Sequence, residues 1–146
     1  MNTFTVFLLL MVSIVPVVMI VFGYLFSNRP PKKVGSFLGY RTSRSILNED
    51  TWRFAHHYCG KTWFVLGWLT LALTIGTMWI NADKGAAWLG DYAQILLGIQ
   101  ILPFLGGILL TEYNLRQAFT KDGRRRKNYH GFDGSSHSDR RLKRRR

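Results

Sequence analysis

Residues 3–26 read TFTVFLLLMVSIVPVVMIVFGYLF and contain no charged side chain. Residues 62–80 and 92–111 form two further apolar runs that also lack a charge. Each run is close to the length that an α-helix needs to cross a hydrocarbon core about 30 Å thick. Because backbone polar groups in lipid must form their hydrogen bonds within their own segment, we predict that the three runs are transmembrane helices.

A secretory signal peptide is the alternative interpretation of the first run. Such a peptide begins with a basic segment, has a shorter apolar stretch and ends at a cleavage site of small residues. Residues 1–26 have a longer apolar stretch without a basic start, and no small-residue site follows Phe26. We therefore expect the first run to remain in the protein as a membrane span.

Lysine and arginine are concentrated in two of the segments outside the spans. The linker of residues 28–61 and the segment after Arg116 are strongly basic, whereas residues 81–91 contain only Lys84. With three spans, the linker and the C-terminal segment fall on the same side of the membrane. Because basic residues are retained on the cytoplasmic side, we predict a multi-pass protein of the bacterial cell membrane with its N-terminus outside and its C-terminus in the cytoplasm.

The second half of the linker has the pattern of a helix that leads into the second span. Asn48 is a favourable N-cap, and Glu49 and Asp50 place negative charge in the first turn, where the helix dipole favours it. One side of this helix is formed by the residues Trp52, Ala55, His56, Cys59 and Trp63. We therefore predict an amphipathic helix at the cytoplasmic membrane interface.

The composition changes abruptly after residue 120. Residues 121–146 consist mainly of Gly, Ser, His, Asp and Arg, and such a segment is too polar to bury a core. We predict an integral membrane domain of residues 1–120, followed by a disordered Arg-rich cytoplasmic tail of residues 121–146. The expected fold class is all-α, a three-helix transmembrane bundle with one interfacial amphipathic helix.

The tail contains two basic clusters, at residues 124–127 and 140–146. Clusters of this kind bind nucleic acid in some proteins. In a chain that is already anchored in a membrane, anionic lipid is the nearer partner, and each basic residue at such a surface contributes roughly 1 kcal/mol. We expect the tail to bind anionic membrane lipids rather than nucleic acid.

The sequence offers little for catalysis or for metal binding. Cys59 is the only cysteine, so neither a disulfide within the chain nor a cysteine-based metal cluster can form. His56 and His57 project about 100° apart on a helix, so they do not easily share one metal ion. No residue is visible that would orient the His56 imidazole as a base for Cys59. We expect neither an enzyme, a cofactor nor a metal site.

The linker and the second span carry a recurring pattern. It consists of Asn28, Gly39-Tyr40-Arg41-Thr42, Ser45, Asn48, Trp52, Ala55-His56, Gly60-Lys61 and Gly67. This pattern, over about residues 28–80, resembles the SdpI family of membrane immunity proteins. The resemblance implies a non-enzymatic membrane protein that protects against a secreted sporulation-delaying toxin. It also implies signalling, in which a cytoplasmic repressor is held at the membrane.

The linker is the candidate site for a ligand or partner. The residues expected to make that contact are Tyr40, Arg41, Thr42, Ser45, Asn48, Trp52 and His56. The Arg41 guanidinium is suited to bidentate contact with a phosphate or a carboxylate. The alternative is structural: Arg41 ties the linker to Glu112 or to carbonyls at a helix end, and Trp52 anchors the linker at the membrane interface.

Two functions follow from these patterns. The first is toxin immunity or envelope-stress signalling through the cytoplasmic linker, with a toxin peptide, a repressor or a membrane protein as partner. The second is an accessory subunit that binds and stabilises a larger membrane protein complex.

Overall fold

The chain forms three long α-helices in a computed structural model, which describes residues 3–37, 39–129 and 131. They are α1 (Thr3–Asn28), α2 (Glu49–Ile80) and α3 (Ala86–Ala118). Each helix is long and apolar enough to cross a membrane. The prediction of an all-α protein with three transmembrane helices is therefore confirmed.

Helices α2 and α3 are longer than a membrane is thick. They contain 32 and 33 residues, which corresponds to roughly 50 Å at 1.5 Å per residue, against a hydrocarbon core of about 30 Å. The charged residues of α2 lie in its first half, before Thr62. In α3, the uncharged run ends at Thr111, and charged residues follow it. Both helices therefore extend beyond the membrane on the side of the linker.

The predicted amphipathic helix is the first part of α2 and continues into the span without a break. The residues predicted to form one side of this helix are all buried inside the protein: Trp52, Ala55, His56, Cys59 and Trp63. Arg53 and Lys61 are exposed on the opposite side. One side of the amphipathic segment thus packs inside the protein, and its charged side faces outward.

Helix α1 packs closely along α2 at two glycines. A Cβ atom on Gly23 would lie 2.5 Å from the backbone nitrogen of Phe64, and one on Gly60 would lie 2.5 Å from the backbone nitrogen of Ser27. No side chain fits in this space, so the two backbones are in direct contact. This contact fixes the end of α1, and with it the start of the linker, against α2.

The small and hydroxylated residues of α2 and α3 have two different surroundings. Thr74 is buried and accepts a hydrogen bond of 2.8 Å from Nε2 of Gln100, which joins α2 to α3 inside the membrane span. Gly76, Gly98 and Gly106 instead face open space. Thr74 thus packs against α3, whereas these three glycines lie on the outer surface.

The chain turns back toward α2 after α3 ends at Ala118. The backbone N–H of Arg126 donates to the carbonyl of Ala118 at 2.9 Å, and the Asn48 side chain donates to the carbonyl of Gly123 at 2.7 Å. Ordered structure therefore continues past the predicted boundary at Lys121 as far as Tyr129. The rest of the predicted disordered tail, residue 130 and residues 132–146, lies outside the described residues.

Candidate functional site: the folded linker

The linker begins where α1 is forced to end. Pro30 and Pro31 follow Asn28, and the residue before a proline is driven out of the helical conformation. The linker then folds onto the first turns of α2. The Trp52 indole N–H donates to the carbonyl of Pro31 at 2.7 Å, and Trp52 is fully buried. Trp52 therefore lies inside the protein, and the expectation that it anchors the linker in the lipid interface is wrong.

His56 holds the centre of the linker through both of its ring nitrogens. Nε2 accepts a hydrogen bond of 2.9 Å from the backbone N–H of Tyr40, and Nδ1 lies 2.8 Å from the carbonyl of Trp52. Since Nε2 is an acceptor, Nδ1 carries the proton and the ring is neutral. With both nitrogens engaged in this way, the imidazole is part of the folded linker, and neither nitrogen is open to a ligand.

Tyr40 extends this contact to the third helix. Its side chain is buried, and its hydroxyl donates to the carbonyl of Ile108 at 3.1 Å. Burial, with a smaller effect from the Glu112 carboxylate, raises the pKa of the Tyr40 phenol well above its ordinary value. Tyr40 is therefore a neutral hydrogen-bond donor, and it joins the linker to α2 through its backbone and to α3 through its side chain.

The remaining polar residues of the motif form the turn that leads into α2. The Ser45 hydroxyl donates to the carbonyl of Tyr40 at 2.9 Å and accepts from the backbone N–H of Thr42 at 2.8 Å. Asn48 caps α2, because its side chain accepts from the Thr51 N–H and the Thr51 hydroxyl accepts from the Asn48 N–H. The predicted N-cap is confirmed. These bonds satisfy backbone groups that would otherwise be unpaired next to the membrane.

Among the seven candidate contact residues, Arg41 is the one whose side chain points outward. It is exposed, and the hydrogen bonds and ion pairs of the part of the chain that the structure describes do not include its guanidinium. The neighbouring Arg44 takes the structural place that the alternative interpretation gave to Arg41. Its Nε lies 3.8 Å from Oε1 of Glu112, and Arg116 approaches the same oxygen at 3.2 Å. The predicted tie between the linker and Glu112 thus exists, but Arg44 makes it.

Sequence reasoning also missed the reason for the glycine at position 39. A Cβ atom there would lie 2.7 Å from Nε2 of His56 and 2.8 Å from the Trp52 ring. Gly39 is therefore required because the linker backbone passes directly over two side chains. Nothing in the local sequence pattern reveals which distant side chains the backbone will meet.

Comparison with known proteins supports the same region of the chain. A family model described as the SdpI/YfhL protein family matches residues 32–111. The match begins inside the linker, includes all of α2 and continues to the end of the uncharged run of α3. It thus extends beyond residue 80, where the resemblance in the sequence was expected to end. No curated protein and no solved structure matched the chain.

Proposed function

The chain belongs to the SdpI/YfhL protein family, and on that basis we propose that it acts in toxin immunity or envelope-stress signalling at the cell membrane. In this proposal the protein catalyses no reaction. It holds its linker on the cytoplasmic side, with the N-terminus outside, as the one-sided distribution of basic residues favours. The partner is a toxin peptide or a cytoplasmic repressor, in line with what the family resemblance implies.

One observation carries the proposal: the linker is a folded unit that presents Arg41 at its surface. Tyr40 and His56 are fixed by hydrogen bonds to α3 and α2, whereas Arg41, between Tyr40 and Thr42, is exposed. The backbone beside Arg41 is thus held in place, and its exposed guanidinium is suited to bidentate contact with a carboxylate or a phosphate. The membrane-adjacent position also lowers the local dielectric, which strengthens a charge-assisted contact.

The same contacts provide a route for a signal. The Tyr40 hydroxyl binds the carbonyl of Ile108 near the inner end of the third span. A toxin that changes the packing of α3 against α2 would move this carbonyl, and the linker would move with it. The signal is then a change in the position of Arg41 relative to its cytoplasmic partner.

A survival assay tests this function. The chain is expressed in cells that are sensitive to the sporulation-delaying toxin, and survival is compared with that of cells carrying an empty vector. We expect protection by the wild-type chain and loss of protection by Arg41→Ala, with an unchanged melting temperature in detergent. Arg41→Lys keeps the positive charge but cannot make the bidentate contact of a guanidinium, so it should protect only in part.

Arg44→Ala is the matched control, because it removes the neighbouring arginine that the structure pairs with Glu112. This variant should lower the melting temperature, and Glu112→Ala should produce a similar loss that does not add to it. Full protection by a correctly inserted Arg41→Ala protein would show that the linker is not the functional site. Failure of the wild-type chain to protect would reject immunity to this toxin.

The outer surface of α3 favours a second function, that of an accessory subunit in a larger membrane complex. Gly98 and Gly106 lie in the span and face open space. Small residues on a span surface allow another helix to approach closely. Purification in mild detergent separates the two functions, because an accessory subunit should bring down a membrane protein in constant proportion. Gly98→Leu and Gly106→Leu should then release that protein.

A further inference from the structure

The first part of the linker carries exposed apolar and basic side chains next to each other. We call residues 29–37 the basic loop. Phe37 is 91% exposed and Val34 is 41% exposed, and Lys32 and Lys33 are exposed beside them. Burial of a phenylalanine side chain stabilises by roughly 1.5–3 kcal/mol. A surface that covers Phe37 would therefore gain free energy from the contact.

The basic loop lies near the membrane surface because both of its ends are fixed. It starts directly after α1, whose uncharged run ends at Phe26. Trp52 holds the chain on both sides of the apolar pair, because its indole N–H donates to the carbonyl of Pro31 and its ring lies against Gly39. Trp52 precedes Thr62 by ten residues, so it lies roughly 15 Å outside the hydrocarbon core.

The distance that remains to the lipid is short. The headgroup layer adds roughly 5–8 Å to the hydrocarbon core on each side of a bilayer. The chain between Pro31 and Gly39 spans up to about 3.3–3.6 Å per residue when extended. It is therefore long enough to leave Trp52, touch the lipid and return.

A tight turn at Gly35 brings the apolar and basic side chains of the loop together. Gly35 has a φ angle of 77°, a conformation that a residue with a Cβ atom rarely adopts. The backbone N–H of Ser36 donates to the carbonyl of Lys33 at 3.2 Å across this turn. Val34 and Phe37 thus lie on either side of one turn, directly after two lysines.

The basic loop has a net positive charge, which favours binding to an anionic surface. Residues 28–48 contain no acidic side chain, whereas Arg29, Lys32 and Lys33 precede the apolar pair. Stable attachment to a membrane interface combines apolar insertion with attraction to anionic headgroups, and the basic loop has both. A water-soluble partner is a less suitable binding surface, because it would have to cover a loop that lies close to the lipid headgroups.

We propose that the basic loop inserts Phe37 into the headgroup region of the same bilayer, while Arg29, Lys32 and Lys33 bind anionic lipid headgroups. The loop then attaches the folded linker to the membrane surface at a point separate from the three spans. This proposal does not depend on the function proposed above, since it concerns lipid contact and not a toxin or a repressor.

A fluorescence experiment on the full-length chain tests the insertion. Cys59 is buried and is the only cysteine, so Cys59→Ser gives a background for single labelling. An environment-sensitive dye is attached at Phe37→Cys, and the protein is placed in nanodiscs that contain anionic lipid. We expect emission typical of a membrane environment, with strong quenching by lipids that carry a spin label near the headgroup.

Asp50→Cys is the matched control, because Asp50 is exposed at the start of α2 and lies roughly 18 Å outside the hydrocarbon core. A dye there should remain water-like and unquenched. Charge reversal by Lys32→Glu with Lys33→Glu should reduce quenching at position 37, as should replacement of the anionic lipid by a zwitterionic one. Water-like, unquenched emission at position 37 in a protein with a normal melting temperature would overturn the proposal and indicate a soluble partner for Phe37 instead.

Discussion

At the scale of single residues, His56 decides whether the linker stays folded. Its neutral ring connects the backbone of Tyr40 to the first turns of α2, and the side chain is completely buried. A buried backbone N–H that loses its acceptor costs about 1–3 kcal/mol. The histidine is thus a structural residue, although a histidine beside another histidine in a sequence first suggests a metal site.

We expect His56→Leu to destabilise the protein by about 2–4 kcal/mol, because it leaves the Tyr40 N–H unpaired and fits poorly between aromatic rings. His57→Leu is the control, since His57 is half-buried on the other side of the helix and its replacement should cost less. Thermal unfolding in detergent measures both variants. Equal melting temperatures for the two proteins would show that the bond between Tyr40 and His56 does not stabilise the linker.

The linker shows how far residue patterns can predict a site. The N-cap at Asn48 and the buried side of α2 were predictable, because capping and helical periodicity are local. The choice between Arg41 and Arg44 was not, since it depends on which guanidinium the folded chain brings to Glu112. The roles of Gly39 and Tyr40 were hidden for the same reason, as their partners lie on α2 and α3.

At the scale of the helices, the spans were predictable from the sequence, whereas the contacts between them were not. Runs without charge reveal a span, because the bilayer imposes the same requirement on every segment that crosses it. They do not reveal which glycines touch another helix. Gly60 and Gly76 look alike in the sequence of α2, yet one lies against the backbone of α1 and the other faces open space.

This difference gives a prediction for α2. Gly60→Ala should destabilise the protein by about 1–3 kcal/mol, because its new methyl group would lie 2.5 Å from the Ser27 backbone and would push α1 away. Gly76→Ala, the control, should stabilise slightly or have no effect, since alanine favours helix by up to about 1 kcal/mol. Melting temperatures in detergent would test the pair. A stable Gly60→Ala protein would argue against direct contact between the two backbones.

At the scale of the whole molecule, charge distribution sets the expected orientation in the membrane. Lys84→Cys and Asp122→Cys, each in the Cys59→Ser background, place an exposed thiol at the two ends of the helix bundle. A membrane-impermeant thiol reagent applied to intact cells should label Lys84→Cys and should label Asp122→Cys only after permeabilisation. The opposite pattern would invert the topology and place the linker outside the cell.

The C-terminal segment also acts at this scale, because its two basic clusters lie in different parts of the chain. Residues 124–127 belong to the turn that is held by the contact between Asn48 and Gly123, whereas residues 140–146 follow the described part of the chain. Deletion from Lys121 onward would therefore remove a structural contact as well as charge. Deletion from residue 132 onward separates the two effects.

We expect the protein that ends at Gly131 to insert and melt as the full chain does but to bind anionic lipid less well. The deleted cluster at 140–146 contains Arg and Lys and only one other residue, and each basic residue near a membrane surface contributes roughly 1 kcal/mol. A weakening of at least about tenfold, which equals 1.4 kcal/mol, should appear in fluorescence transfer to a labelled anionic lipid in mixed micelles. The difference should shrink as salt is raised, since counterions screen exposed charges beyond about 10 Å at 0.1 M.

A full-length chain with Gln in place of each basic residue at 140–146 should match the truncated protein, because charge and not length produces the attraction. Equal lipid binding by the truncated and full-length proteins at low salt would mean that this cluster serves a different partner.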